Sequence, residues 1–252
     1  MNLIDTHCHL FYENLKSDLD SVLNRAFDLG VSRFVCVGTN MTDSRECLKL
    51  AKQYDTIYSS AGVHPHDAKD VSDDYLDQIA DLMTSDRMVA VGEVGLDYYR
   101  NISEPETQKK IFREQMELAQ QLQKPVIFHN RDADEDVIQV LSEFPGVTGV
   151  AHCFSSDLET AKTFLDYGYY ISFSGNLTFK NSPLPDVARE LPLDKILVET
   201  DSPYLSPMPF RGKPNEPGRT RYVAEKLAEI HNVPLDVIAE KTTANAEALF
   251  GL

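Results

Sequence analysis

His7, His9, Glu93, His129, His152 and Asp201 can each ligate a divalent cation, and each closes an apolar run of the kind that forms a β-strand. In the run Leu3-Ile4-Asp5-Thr6-His7-Cys8-His9 side chains alternate faces, so positions 5, 7 and 9 share one side and both imidazoles reach a single ion. His129 follows Val126-Ile127-Phe128, His152 follows Val147 to Ala151, and Asp201 follows Ile196 to Thr200. A single histidine at a strand end is ordinarily a hydrogen-bonded loop residue. Six such groups, two of them at the His-x-His spacing of shared coordination, describe a metal site assembled from scattered strands. Imidazoles with carboxylates are borderline-hard donors that suit Zn²⁺ or Mn²⁺, while Mg²⁺ usually takes more oxygen and water. All three ions stay open at this point.

Strands alternating with helices have to position these ligands. Leu15, Leu19, Val22, Leu23, Ala26 and Leu29 recur at helical spacing and Gly30 stops that helix, after which Arg33 to Val37 reads as strand two. A helix from about Thr42 to Tyr54 precedes a strand at Ile57 to Val63, and a helix starting near Ser72 precedes Met88 to Glu93. Ile111 to Leu122 is helical, and Pro125 opens strand five. Short helices over Val137 to Leu141 and Leu158 to Leu165 precede strands six and seven, the latter at Tyr169 to Phe173. A Pro-bounded segment around Val187 to Leu191 leads to strand eight at Lys195 to Thr200, and Tyr222 to Leu249 supplies closing helices. Strands alternating with helices imply parallel pairing and right-handed crossovers. Eight of them, with ligands at their C-terminal ends, predict an α/β fold, a TIM (β/α)8 barrel over residues 1–252 as a single domain. A doubly wound open sheet is disfavoured because it keeps its first and last strands apart, and no glycine-rich phosphate motif follows strand one.

Bulk properties agree with one enzyme domain. The 252 residues suit a barrel of about 250. Hydrophobic residues make up 42% and charged residues 25%, without a low-complexity tract, which excludes a disordered chain. No stretch approaches the roughly 18 apolar residues of a membrane helix, and the start lacks a basic segment followed by an apolar run, so a cytoplasmic protein is expected. Cys8, Cys36, Cys47 and Cys153 lack C-x-x-C spacing and read as reduced thiols. Net charge is −16, from 24 Lys plus Arg against 40 Asp plus Glu, which disfavours a broad embrace of duplex DNA. Any nucleic acid must be gripped locally. Arg211, Lys213, Arg219 and Arg221, in a Pro- and Gly-rich loop after Asp201, are either such a grip or a solvated loop.

Six segments in order carry a family resemblance: Ile4-Asp5-Thr6-His7-Cys8-His9-Leu10, Gly62-Val63-His64-Pro65-His66, Gly92-Glu93-Val94-Gly95-Leu96-Asp97-Tyr98-Tyr99, Pro125 to Arg131, His152-Cys153-Phe154-Ser155, and Glu199 to Leu205. Together they resemble the TatD family of metal-dependent hydrolases, within the amidohydrolase superfamily, and they span nearly the whole chain. Ser156 stands where that pattern suggests glycine, a matter of loop shape. The resemblance implies a barrel with two divalent ions, one among His7, His9, Glu93 and Asp201, the second held by Glu93, His129 and His152, with Glu93 bridging. It also implies a nuclease acting on DNA. Two ions about 3.5 to 4 Å apart activate water and clamp the attacking and leaving oxygens of a phosphodiester, so no side-chain nucleophile is needed.

Catalytic roles are expected at Asp201, as base for that water, and at Glu93; a plain ligand role for Asp201 is compatible with the first. Glu199 and Asp5 precede ligands by two residues and would either orient metal-binding imidazoles or form a buried ion pair. His64 and Arg131 are the better candidates for phosphate contacts, with His66 behind them. Tyr98, Tyr99, Tyr204 and Phe210 could stack on a base or simply pack a loop, and Asn215 and Glu216 resemble a family loop near the substrate. The expected partner is DNA at ends or in single strands. The alternative is hydrolysis of a small amide, lactone or ester by the same centre, which fold and ligands alone do not separate.

Overall fold

A computed structural model describes residues 2–252, and its strands are buried on both faces, as parallel strands covered by helices must be. β1 (Leu3–Cys8), β2 (Val31–Val37), β3 (Ile57–Ala61), β4 (Met88–Asp97), β5 (Val126–Arg131), β6 (Gly149–Ala151), β7 (Tyr170–Phe173) and β8 (Ile196–Val198) pair in chain order, all parallel. Around them run α1 (Glu13–Lys16), α2 (Leu19–Asp28), α3 (Met41–Gln53), α4 (Tyr75–Leu82), α5 (Pro105–Leu122), α6 (Asp134–Glu143), α7 (Leu158–Asp166), α8 (Leu184–Glu190), α9 (Thr220–His231) and α10 (Leu235–Phe250). This is the expected (β/α)8 barrel. Its seam is closed where the ligands lie: the Asp201 amide donates to His7 O at 2.8 Å and the His9 amide to Ser202 O at 2.8 Å. Beneath them Thr6 Oγ1 donates to Val198 O at 3.0 Å.

Two apolar layers hold the barrel. Alternation along each strand sends one set of side chains outward to the helices, such as Leu3, Phe34, Phe128 and Ile171. The Phe128 ring is met edge to face by Phe164 of α7 and by Tyr169, at 5.2 and 5.4 Å between centroids. The other set, Ile4, Val35, Val37, Val89, Ala90, Ile127, Val150 and Leu197, fills the lumen. The lumen is capped by Ala246, Leu249 and Phe250 of α10. Asn245 of that helix donates to Leu193 O and Ile196 O, both at 2.8 Å, and Thr243 to Asn2 O at 2.7 Å, so α10 lies across the N-terminal ends of β1 and β8.

Three local expectations differ from the structure. The helix read from Leu15 to Leu29 is broken into α1 and α2 at Asp18, whose backbone leaves helical geometry at φ −136° and ψ 41°. Strand three stops at Ala61, and His64 instead precedes a 3-10 turn over Pro65–Asp70 that proline opens. β4 runs four residues beyond Glu93, to Asp97.

Phe250 is 5% exposed and closes the lumen. Phe250→Ala should destabilise the fold by about 3 kcal/mol, the lower range for deleting a buried phenylalanine. An unchanged urea midpoint would show that α10 does not brace the barrel.

Candidate metal centre

β4 carries Glu93 into the mouth of the barrel, where its carboxylate meets imidazoles from several strand ends. Oε1 lies 2.9 Å from His152 Nε2 and 3.4 Å from both His64 Nε2 and His129 Nδ1, while Oε2 lies 3.5 Å from His7 Nε2. His7 Nε2 and His9 Nε2 are 3.3 Å apart, and Asp201 Oδ1 is 3.3 Å from His9 and 3.8 Å from His7. All six expected ligands therefore converge, with His64 beside them. The approach of β5 to β4 depends on Gly95: at φ 122° a side chain is strained there, and a Cβ would sit 2.1 Å from His129 O. Asp201 itself holds a left-handed φ of 55°, a conformation that aspartate tolerates better than most residues, as it turns the chain out of the barrel.

Hydrogen bonds around the cluster fix which nitrogen of each imidazole faces inward. His9 Nδ1 donates to Val37 O at 2.9 Å, His129 Nε2 to Asp97 Oδ2 at 3.1 Å, and His152 Nδ1 to Glu199 Oε1 at 3.3 Å. In each neutral ring the proton is thus on the outer nitrogen and the lone pair on the inner one. His129 Nδ1 then faces His152 Nε2 at 3.2 Å, as His7 Nε2 faces His9 Nε2. Lone pairs at such distances repel unless a cation lies between them, and tetrahedral ligands about 2.0–2.1 Å from an ion are about 3.3–3.4 Å from each other. Buried His7 Nδ1 has no partner among the described residues. Three triplets, His7/His9/Asp201, His7/Glu93/His152 and His64/Glu93/His129, have donor atoms mutually within 4.8 Å. The donor set fits divalent metal.

Electrostatics agree. Burial pushes the Glu93 carboxyl up, but His152, His64 and His129 outweigh it and hold Glu93 well below the usual carboxylate range. Asp201 is likewise lowered: burial opposes ionisation, and His9, with the charges of His7 and His152, overrides it. Burial also disfavours charge on His9, yet its bond to Asp201 and the nearby carboxylates raise it to about 9. His152 and His129 are raised against burial by Glu93 with Glu199 and Asp97 respectively. The carboxylates thus recruit positive charge, which a divalent ion supplies while displacing the protons.

His64 differs from its neighbours. Its Nδ1 accepts the His66 amide at 3.1 Å, so the neutral ring carries its proton on Nε2 and presents an N–H, not a lone pair, to the centre. Burial keeps it neutral, with a pKa lowered to about 3. This is a donor's geometry, despite its membership of a possible ligand triplet.

The centre floors a cavity of about 880 Å³, which Lys69, Arg100 and Arg131 line with positive charge and Tyr12 and Tyr204 with aromatic surface. The Arg131 guanidinium stacks 3.8 Å over the exposed Tyr99 ring. The loop after Asp201 does not supply the cavity's cations. Arg219 donates to Pro214 O at 2.6 Å and Ser206 Oγ at 3.1 Å, Arg221 pairs with Glu225 at 2.7 Å, and Arg211 lies over Phe179. Asn215 is also a brace, donating to Thr200 O at 3.0 Å and Tyr204 O at 2.7 Å, while Glu216 pairs with Arg25. Tyr98 is tied to Asp136 at 2.5 Å, and Phe210 packs on Tyr222. Glu199 does hold an imidazole, whereas Asp5 binds the Thr200 amide and hydroxyl at 2.9 and 2.6 Å and joins the seam.

Asp97, Lys69 and Arg100 went unassigned in the sequence. Asp97 lies four residues after Glu93, hence on the same strand face, which was the available signal. Lys69 and Arg100 follow His66 and Asp97 by three residues each, in strand-end loops where no periodicity marks direction.

Known proteins share this plan. The pattern of the TatD related DNase family matches residues 4–251. YabD of Bacillus subtilis, an uncharacterized metal-dependent hydrolase, is 43% identical over 251 residues, 98% of either chain. The 3'-5' ssDNA/RNA exonuclease TatD of Escherichia coli K12 is 34% identical over 99% of both chains. A crystal structure of the TatD homologue YJJV from Escherichia coli K12 superposes with a TM-score of 0.94 at 33% identity, covering 99% of this chain and 98% of that one. The chain belongs to the TatD family of metal-dependent hydrolases.

Proposed function

We propose that this hydrolase cleaves phosphodiester bonds of DNA, removing nucleotides from single-stranded or frayed ends with two divalent ions, Zn²⁺, Mn²⁺ or Mg²⁺. The observation that carries this reading is the cluster of inward-facing donors at the floor of a cavity whose walls bear three cations. His7, His9, Glu93 and Asp201 would hold one ion and Glu93, His129 and His152 the second. The two Glu93 oxygens, Oε2 toward His7 and Oε1 toward His129 and His152, support its bridging role. Bound there, the ions would supply Lewis-acid polarisation of the phosphoryl group and acidify the attacking water.

The chain's own groups do the rest. The Asp201 carboxylate takes the proton of the attacking water and delivers it to the leaving oxygen; its side chain is 14% exposed against 4% for Glu93, so it reaches the cavity. His64 Nε2–H donates to a non-bridging phosphate oxygen without adding charge. Arg131, with Arg100 and Lys69, balances phosphates on either side of the scissile one. Tyr204, half exposed beside the Tyr12 ring at 5.8 Å, offers a stacking surface for an unpaired base. A net charge of −16, with Lys69, Arg100 and Arg131 gathered at one small cavity, favours a strand end over duplex. The Escherichia coli relative's name, a 3'-5' exonuclease on ssDNA and RNA, supports that direction and adds RNA as a substrate to test.

Three outcomes follow. Glu93→Ala should lose at least one ion by elemental analysis, and full occupancy in that variant would remove Glu93 as the bridge. End-labelled single-stranded DNA should be shortened in a chelator-sensitive reaction that added Mn²⁺, Mg²⁺ or Zn²⁺ restores. Cleavage of an amide, lactone or ester panel without any nucleic acid would replace the reading with the alternative hydrolase. Asp201→Asn keeps size and one oxygen donor but removes the base, so turnover should fall about 10²- to 10⁴-fold while metal content falls far less. Wild-type turnover in the metal-loaded Asn variant would leave Asp201 a ligand only.

A further inference from the structure

With His129 taken as a ligand of the second ion, as proposed above, we infer that Asp97 is a positioning residue that holds His129 and the cationic wall of the cavity in one register. Its carboxylate is 1% exposed and fully engaged. Oδ2 accepts from His129 Nε2 at 3.1 Å and from His66 Nε2 at 3.0 Å, and Oδ1 accepts the Arg100 amide at 2.7 Å. One acidic group thus fixes the tautomer of an inner imidazole, the ring of a cavity-lining histidine and the backbone of a cavity arginine.

The network extends to the other two cations. Gln108 of α5 accepts the Asp97 amide at 2.8 Å and donates to Asp97 O and Ser103 O at 3.2 and 2.6 Å. Ser103 Oγ accepts the Lys69 amide at 3.1 Å and donates to His66 O at 2.9 Å. The Tyr98 amide donates to Arg131 O at 2.9 Å, and the neighbouring Tyr99 ring carries the Arg131 guanidinium. Every cation lining the cavity is therefore attached to the segment centred on Asp97. The carboxylate itself joins the metal side at His129 to the substrate side at His66 and Arg100, so its loss disturbs both.

Asparagine tests this because one amide oxygen cannot accept from all three N–H groups. Asp97→Asn should weaken Mn²⁺ binding to the metal-free protein by about 10- to 100-fold at one site, the usual effect of losing a carboxylate behind a metal-binding histidine. KM for a short single-stranded oligonucleotide should rise in the same variant, and ¹⁵N NMR should show His129 leaving the Nε2–H tautomer. His66→Gln should raise KM while Mn²⁺ affinity stays at the wild-type value. Wild-type Mn²⁺ affinity and an unchanged tautomer in Asp97→Asn would overturn the inference. Should that variant fail to fold, Asp97→Ser leaves room for formate: recovery of Mn²⁺ affinity with formate supports the role, and no recovery overturns it. His129→Ala separates the two readings. If it keeps both ions, His129 is no ligand and the inference falls with that reading; if it loses one while Asp97→Asn loses none, only the inference falls.

Discussion

A buried carboxylate surrounded by imidazole nitrogens is the constraint on which the structure turns. Glu93 is 3% exposed, and ionising a carboxyl away from water is costly unless opposite charge or hydrogen-bond donors compensate. His7, His64, His129 and His152 approach it from four different strand ends or adjoining turns, which demands a sheet that closes on itself. The closed barrel is therefore what makes the site possible, and the same closure brings Asp201 beside His9.

Support for the ligands comes from the next layer of side chains and carbonyls. His9 is held by a carbonyl of β2, His152 by Glu199 next to β8, and His129 by Asp97 of β4. Each anchor belongs to an element other than that of the ring it orients, so ring directions are set by the barrel and not by local backbone preference. Asp5 contributes differently, by joining β1 to Thr200 and so maintaining the seam from which His7, His9 and Asp201 project. Conformational freedom is thus removed before any ligand binds, which is the condition for strong, selective coordination.

The cavity gathers cations beside its carboxylates: Asp67 and Asp70 share its wall with Lys69, Arg100 and Arg131. Lys69, Arg100 and Arg131 face a chain that carries an excess of 16 negative charges, and screening confines each field to about 8 Å at physiological salt. The proposed polyanionic substrate would thus be repelled by the body of the molecule and meet cations at the cavity wall. Neutral His64 presents an Nε2–H there without adding to the charge.

The sequence by itself determined the barrel, the order of its eight strands and the six ligand candidates, because these rest on periodicity: alternation in β1 places His7 and His9 on one face, and ligands recur where apolar runs end. It also carried the family pattern. It did not determine which cations meet the substrate. Arg219 and Arg221 stand in a loop right after Asp201, yet the chain folds that loop onto Pro214, Ser206 and Glu225. Lys69 and Arg100, from loops after β3 and β4, line the cavity instead. Loops lack the repeating geometry that converts sequence position into direction, so only tertiary packing decides where their side chains point. The same holds for protons on rings. That His64 donates while His129 and His152 offer lone pairs depends on a backbone amide, Asp97 and Glu199, partners that become neighbours only when the barrel closes.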